Sequence, residues 1–236
     1  MRDGTVVVTG ASRGIGAAIA VELQARGFRV AGLSRSGTSA AGEGHACDVT
    51  DEAALRSVLA RVAEAGPVVG LVNNAGMHTE ARSAELSVAE LEASFRVNLF
   101  APFVACREVQ PHLTAAGGGL IVNIGSFFDR MGVSRSLAYC AAKAAVGAMT
   151  RCLAVEWARH GIRVMDVAPG YIETDLNRDA LGDPRMQEYI KRRVPVRRAG
   201  TPEEVARLVG LLFEADIGYL TGETIYMDGG QGVGHQ

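Results

Sequence analysis

Short, mostly apolar runs recur at residues 5–8, 28–33, 68–72, 120–124 and 163–167, and segments of helical periodicity separate them. A strand that is polar at alternate positions can face water on one side, but a continuously apolar strand must be covered on both faces. Alternation of such strands with helices therefore calls for a parallel sheet flanked by helices. The helical segments fall at 17–26, where Ala17, Ile19, Ala20 and Leu23 share a face, and at 51–64, 87–114 and 137–160. A further short strand is expected at 45–47. Asp51 and Glu52 lie in the first turn of the second helix, where the helix dipole favours acids. No repeat or low-complexity linker divides the 236 residues. The expectation is an α/β chain, 1–236, folded as a single-domain, Rossmann-type, doubly wound parallel sheet with helices on both faces.

One connection departs from this pattern. Only twelve residues separate Arg35 from Asp48, and 36–44 is rich in Gly, Ser and Ala, so an irregular link is expected in place of a crossover helix.

Composition narrows the function classes. A net charge of −2 gives no electrostatic case for nucleic acid or anionic membrane as partner. The run Lys191-Arg192-Arg193 with Arg197 and Arg198 reads as a solvated face. The four cysteines occur singly and the five histidines lack H-x-x-x-H spacing, so no metal site is expected. The chain enters its first strand without a signal-like apolar stretch, and no run is long enough to span a membrane, which leads to the expectation of a cytoplasmic protein.

Residues 9–16 read TGASRGIG and allow two chemistries. Gly10-Ala11-Ser12-Arg13-Gly14 matches the G-x-S-x-G elbow of serine hydrolases, which place an acid and then a histidine downstream of a serine deep in the sequence. Here the serine follows the first strand, and nothing downstream marks its partners. Gly10, Gly14 and Gly16 between a strand and a helix instead suit a loop that brings backbone N–H groups up to a pyrophosphate. On that reading Ser12 is a spacer.

Further motifs follow in order: Asn73-Asn74-Ala75-Gly76, Asn98 in the long helical segment, Ser126 after a strand, Tyr139-x-x-x-Lys143, then Pro169-Gly170 leading to Thr174. With Arg198-x-Gly200-Thr201-Pro202-Glu203-Glu204 and the stretches 220–222 and 228–230, the chain resembles the short-chain dehydrogenase/reductase family over essentially its whole length. The resemblance implies a nicotinamide dinucleotide held by Gly10, Ser12, Arg13, Gly14, Ile15, Gly16, Asn74, Ala75, Gly76, Tyr139, Lys143, Pro169, Gly170, Ile172 and Thr174. It makes Tyr139 the proton donor, with Lys143 on the nicotinamide ribose, Ser126 on the substrate oxygen and Asn98 anchoring a water of the proton relay. Family members that bind NAD carry an acid at the end of the second strand, where this chain has Ser34 and Arg35. Serine removes the charge that would repel a 2′-phosphate, and the guanidiniums of Arg35 and Arg13 can grip one, so NADP(H) is the expected cofactor. Asp48-Val49 resembles the pair that contacts the adenine, although Asp48 could equally cap the helix starting near Asp51.

A free tyrosine titrates near pH 10 and is a sluggish acid at neutrality. Lys143 lies one turn on, and a charge about 5 Å away at an effective dielectric of about 20 contributes roughly 3 kcal/mol, so the lysine is expected to lower Tyr139. Enoyl reductases of the superfamily space these residues more widely, and the residue seven after Tyr139 is Val146, which argues for carbonyl over double-bond reduction. Candidate pocket walls are Met77, His78, Phe127, Phe128, Leu137 and Tyr171, and about 174–194 reads as a lid. The overall pattern is similar to 3-oxoacyl thioester reductases, which implies an acyl carrier protein or CoA thioester; a free ketone or polyketide-like carbonyl stays open, as does a non-catalytic dinucleotide sensor. The turn 114–119 lacks basic residues, leaving Arg130, Arg135, Arg159 and His160 as candidates for a patch facing an acidic carrier protein. Small residues Ala141, Ala142, Ala144, Ala145, Gly147 and Ala148 suggest a helix buried on several sides, either under its own chain or, as the family resemblance implies, in a homo-oligomer, dimer or tetramer.

Overall fold

Consecutive valines in the first strand show how the sheet is covered. Val6 and Val8 point into one core with Ile19, Leu23, Val205 and Phe213, while Val7 points into the other with Leu55, Leu71, Val109 and Leu153. Successive side chains of a strand face opposite ways, so a strand between two helical layers must be apolar at every position. The computed structural model describes residues 4–175 and 177–234; Leu176, within the expected lid, lies outside them.

The seven parallel strands are β1 (Thr5–Thr9), β2 (Arg29–Ser34), β3 (Glu43–Ala46), β4 (Val68–Asn73), β5 (Gly119–Ile124), β6 (Ile162–Pro169) and β7 (Thr224–Met227), in the order β3-β2-β1-β4-β5-β6-β7. Helices α1 (Gly14–Ala25) and α8 (Pro202–Ala215) cover one face. Helices α2 (Glu52–Glu64), α4 (Ala101–Ala115) and α5 (Leu137–Trp157) cover the other. The order reverses between β1 and β4, and in sheets of this kind ligands bind beyond the carboxyl ends of the strands at that switch. No helix among the described residues is long and apolar enough to cross a membrane.

Three local features bear on the site. The link 35–42 contains no helix; it folds back so that Ser34 Oγ donates to the Thr38 carbonyl (2.7 Å) and the Ala40 N–H to the Ala11 carbonyl (3.1 Å). The segment expected as one helix over 87–114 is α3 (Val88–Phe95), a π turn at Arg96–Phe100, and α4. Within that turn the Ala101 N–H reaches back five residues to the Arg96 carbonyl. Pro102 follows, with no N–H to offer the Asn98 carbonyl, so the regular helical ladder breaks there. The lid segment holds two short helices, α6 (Arg178–Gly182) and α7 (Pro184–Arg193).

Candidate active site

The loop between β1 and α1 approaches the end of β4 very closely. Asn74 Nδ2 donates to the carbonyls of Thr9 (3.0 Å) and Gly10 (3.3 Å), and Thr9 Oγ1 accepts from the N–H groups of Asn74 (3.0 Å) and Ala75 (3.1 Å). A Cβ at Gly16 would sit 2.3 Å from both Asn74 Nδ2 and the Gly10 oxygen. Gly10 has φ +71°, which disfavours a side chain at the turn itself. Helix α1 starts with no side-chain cap and no acid in its first turn, so its leading N–H groups are open to an anion. A Cβ at Gly14 would lie 3.5 Å from Thr174 Cγ2, which brings the chain after β6 against this loop. Thr174 is fixed there by Asn177, whose Oδ1 accepts from its N–H (2.7 Å) and hydroxyl (3.1 Å). Pro169 ends β6; the Gly170 N–H donates to Met227 (2.9 Å), and Ile172 bridges to Gly200. This arrangement of glycine turn, uncapped helix and flanking loops has the donor set and clearance that a dinucleotide pyrophosphate requires. Ser12 is exposed and bonds to no histidine among the described residues, so no hydrolase dyad forms around it.

At the end of β2, Ser34 is buried and Arg35 is exposed. Asp48 accepts from the Thr50 N–H (2.9 Å) and hydroxyl (2.8 Å). These bonds, with help from the Arg35 charge, hold its carboxyl below the usual range. Asp48 does not cap α2. Asp51 does, accepting from the Ala54 N–H at 3.0 Å, because only the residue next to the helix can reach its third N–H.

Ser126, Tyr139 and Lys143 converge at the carboxyl end of β5. Ser126 follows the strand and starts a short 3-10 turn, Phe127–Arg130. Burial pushes the Tyr139 phenol up, and a hydrogen bond with Ser126 draws it back down. Lys143 is almost fully buried and donates to the Ile124 carbonyl at 2.7 Å; burial pushes it down to about 8, against the opposing charge of Asp166. The expected lowering of Tyr139 by Lys143 is therefore not what this arrangement gives. Loss of hydration outweighs the Ser126 hydrogen bond, and the ammonium is turned to a backbone oxygen with its nitrogen 5.6 Å from the tyrosine ring centroid. Asn98, fully buried in the π turn, is tied by its side chain to Met77 and Ser94. Its Oδ1 accepts from the Met77 N–H (3.0 Å), and its Nδ2 donates to the Met77 carbonyl (2.9 Å) and Ser94 Oγ (3.2 Å). It thereby fixes the strand of chain at 75–77 beside Lys143.

Aromatic rings wall the approach to Tyr139. His78 stands edge-on to it (centroids 4.9 Å), with Nε2 3.0 Å from Ser136 Oγ, and Phe128 lies 6.0 Å from it. Tyr171 meets Phe127 (5.2 Å), Phe128 (6.5 Å) and, from α7, Tyr189 (6.2 Å). Met77 and Leu137 are exposed at the margin. Sequence reasoning missed Tyr189, the lone aromatic in a strongly charged helix, and Asp166, the one acid inside an apolar strand; both anomalies were visible. The four proposed basic residues do not form one patch. Arg159 and His160 precede β6, at the opposite end of the sheet from Tyr139, as does the turn 114–119 before β5. Arg130 lies over the Tyr226 ring (3.6 Å) and pairs with Asp228 (3.1 Å), and Arg135 pairs with Glu80 (3.5 Å).

A family model described as enoyl-(acyl carrier protein) reductase matches residues 10–231. The 3-oxoacyl-[acyl-carrier-protein] reductase MabA of Mycobacterium tuberculosis is 38% identical over 98% of this chain and 94% of its own. Among solved structures, the aldohexose dehydrogenase AldT of Thermoplasma acidophilum superposes with a TM-score of 0.91 at 32% identity, covering 99% of this chain and 96% of that one. ElxO with NADP bound gives 0.90 at 27% identity, over 97% and 98% of the two chains. The chain belongs to the short-chain dehydrogenase/reductase family and is an oxidoreductase.

Proposed function

We propose that this protein reduces a ketone to a secondary alcohol with NADPH, and that the favoured substrate is a 3-oxoacyl thioester on acyl carrier protein or coenzyme A. The observation that carries the reading is the convergence of Ser126, Tyr139 and a buried Lys143 at the end of β5, beside a glycine loop and an uncapped helix. When bound, reduced nicotinamide supplies a hydride for the carbonyl carbon. Tyr139 donates the proton to the developing alkoxide, Ser126 orients the same oxygen, and the Lys143 charge favours the phenolate that is left. Raised by burial, Tyr139 stays protonated at neutral pH, the form that a reduction needs. Lys143 four residues after Tyr139, with Val146 at the seventh, supports carbonyl over double-bond reduction. Ser34 in place of an acid, with Arg35 and Arg13 exposed nearby, supports NADPH.

The thioester is favoured by the resemblance to MabA over nearly the whole chain, and a free sugar-like or polyketide-like carbonyl compound is the second reading, favoured by the likeness to AldT. Helices α6 and α7, with Tyr189 against Tyr171, act as the lid over this site. Exposed Phe100 at the end of the π turn, exposed Phe103 on α4, and exposed Ala141, Ala144, Ala148 and Val155 on α5 suit a second copy of the chain. The test is oxidation of NADPH and NADH, side by side, with acetoacetyl-CoA. Turnover with NADPH, abolished in Tyr139→Phe while NADPH binding persists, is the expected result. Equal rates with both cofactors would overturn the 2′-phosphate argument, and unimpaired turnover by Tyr139→Phe would overturn the mechanism.

A further inference from the structure

The middle of β6 carries an acid, Asp166, to which the reaction above assigns no part. It is fully buried, Oδ2 accepts from Thr224 Oγ1 on β7 (3.1 Å), and Oδ1 makes no hydrogen bond among the described residues. A carboxylate so placed is costly unless another charge answers it. Lys143 is that charge, and the two meet across one peptide group. Lys143 donates to the carbonyl of Ile124 at one end (2.7 Å). At the other end the Asp166 carboxyl lies over Gly125, where a Cβ would sit 2.4 and 2.8 Å from Oδ1 and Oδ2. Glycine at 125 is thus what admits the acid close to the peptide whose oxygen holds the ammonium, while the Gly125 N–H itself donates to the Val167 carbonyl (2.8 Å).

Other ionisable groups surround the pair. Helix α5 brings Tyr139 and Arg151 as well as Lys143, and the turn after β5 brings Asp129 and Arg130. Strand β7 brings Tyr226, whose hydroxyl donates to Asp129 (2.8 Å), and Asp228 beyond it pairs with Arg130. Asp129 works against ionisation of Asp166, and Lys143 works for it. Burial raises the acid to about 6 and lowers the lysine to about 8, each opposed by the charge of the other.

We propose that Asp166 is a positioning residue for the reduction, the buried counter-charge that keeps Lys143 an ammonium beside Tyr139. The proposal rests on the reading of Tyr139 and Lys143 given above. Lys143 and Lys191 are the only lysines of the chain, so side-chain NMR of lysine-labelled protein resolves Lys143, with Lys191→Arg to assign it. Asp166→Asn should lower the Lys143 titration midpoint by about one pH unit or more and leave Lys191 in place. The alkaline limb of kcat for ketone reduction should move down with it. In the unsubstituted protein, where folding of a variant is not at issue, the Lys143 signal should carry a second inflection near pH 6 as Asp166 takes up its proton. An unmoved midpoint in a folded Asp166→Asn, or a single-step curve in the parent protein, would overturn the proposal. These titrations need neither cofactor nor substrate. A coupled pair in a protein that turns over no ketone would overturn the reductase reading and the role built on it; turnover with an uncoupled pair would overturn this proposal alone.

Discussion

Helices α1 and α8 lie side by side on one face of the sheet, yet they begin in opposite ways. Helix α8 has a complete capping box: Thr201 Oγ1 accepts from the Glu204 N–H (3.3 Å), Glu204 accepts from the Thr201 N–H (2.9 Å), Pro202 starts the helix, and Glu203 and Glu204 face its dipole. Arg198 adds a two-armed ion pair to Glu204 (2.7 and 2.9 Å). Helix α1 has none of this; its cap position is Arg13, which offers no side-chain acceptor. A chain able to build the first kind of start has left the second open, and the open one faces the topological switch. On the proposed reading, local stability is given up where the pyrophosphate binds.

The sharpest way to break this contrast is to close the open start. Gly16→Ala puts a methyl group 2.3 Å from the Gly10 carbonyl, so the loop must move. Isothermal titration should show NADPH affinity down by about a hundredfold or more, since overpacking of this kind costs roughly 1–3 kcal/mol before any loss of ligand contacts. Affinity within twofold of the parent would mean that the glycine loop does not contact the dinucleotide. Next in size, Arg35→Ala should raise KM for NADPH about tenfold or more and leave that for NADH unchanged, by loss of a charge-assisted bond worth about 1.5–3 kcal/mol. A parallel rise for both cofactors would assign Arg35 to something other than the 2′-phosphate.

The smallest effect belongs to the closed start. Thr201→Ala should cost about 1 kcal/mol, seen as a lower urea midpoint, with KM for NADPH untouched. Its Glu204 partner is held down to about 2, first by Arg198 and then by the Thr201 N–H. A carboxyl lowered on folding stabilises above its unfolded value, near 4.3, and that contribution fades as pH falls towards 2. Glu204→Gln should therefore narrow its stability deficit as urea melts are taken from pH 6 down to pH 3. A constant deficit across that range would show that the bond geometry matters and the charge does not.

Much of this was legible beforehand, for reasons that differ by residue. The central strands announce themselves because burial on both faces leaves no room for polar alternation. Strand β7 does not, since Thr224–Met227 is short, lies at the edge and is only partly buried. The π turn was hidden because its apolar spacing continues the helical pattern; Pro102 was the available signal. Ser126, Tyr139 and Lys143 were named by motif and are brought together. Their electrostatics were not readable, because the balance between a neighbouring charge and lost hydration depends on depth, which spacing does not encode. Tyr189 needed the fold of the lid, and Asp166 needed helix α5 packed against β6 to bring Lys143 near it.

The run Val6-Val7-Val8 has a further consequence. Shifting β1 by one residue would exchange valine for valine at two of the three core positions and bring a threonine to the third, so the valines by themselves cannot tell one alignment from the next. Thr9 can. Its hydroxyl meets the N–H groups of Asn74 and Ala75 in one alignment only. The central strand of the sheet is thus aligned by the same polar contacts that shape the loop proposed to hold the nucleotide, so a substitution at Thr9 is expected to reach folding accuracy and binding through one atom.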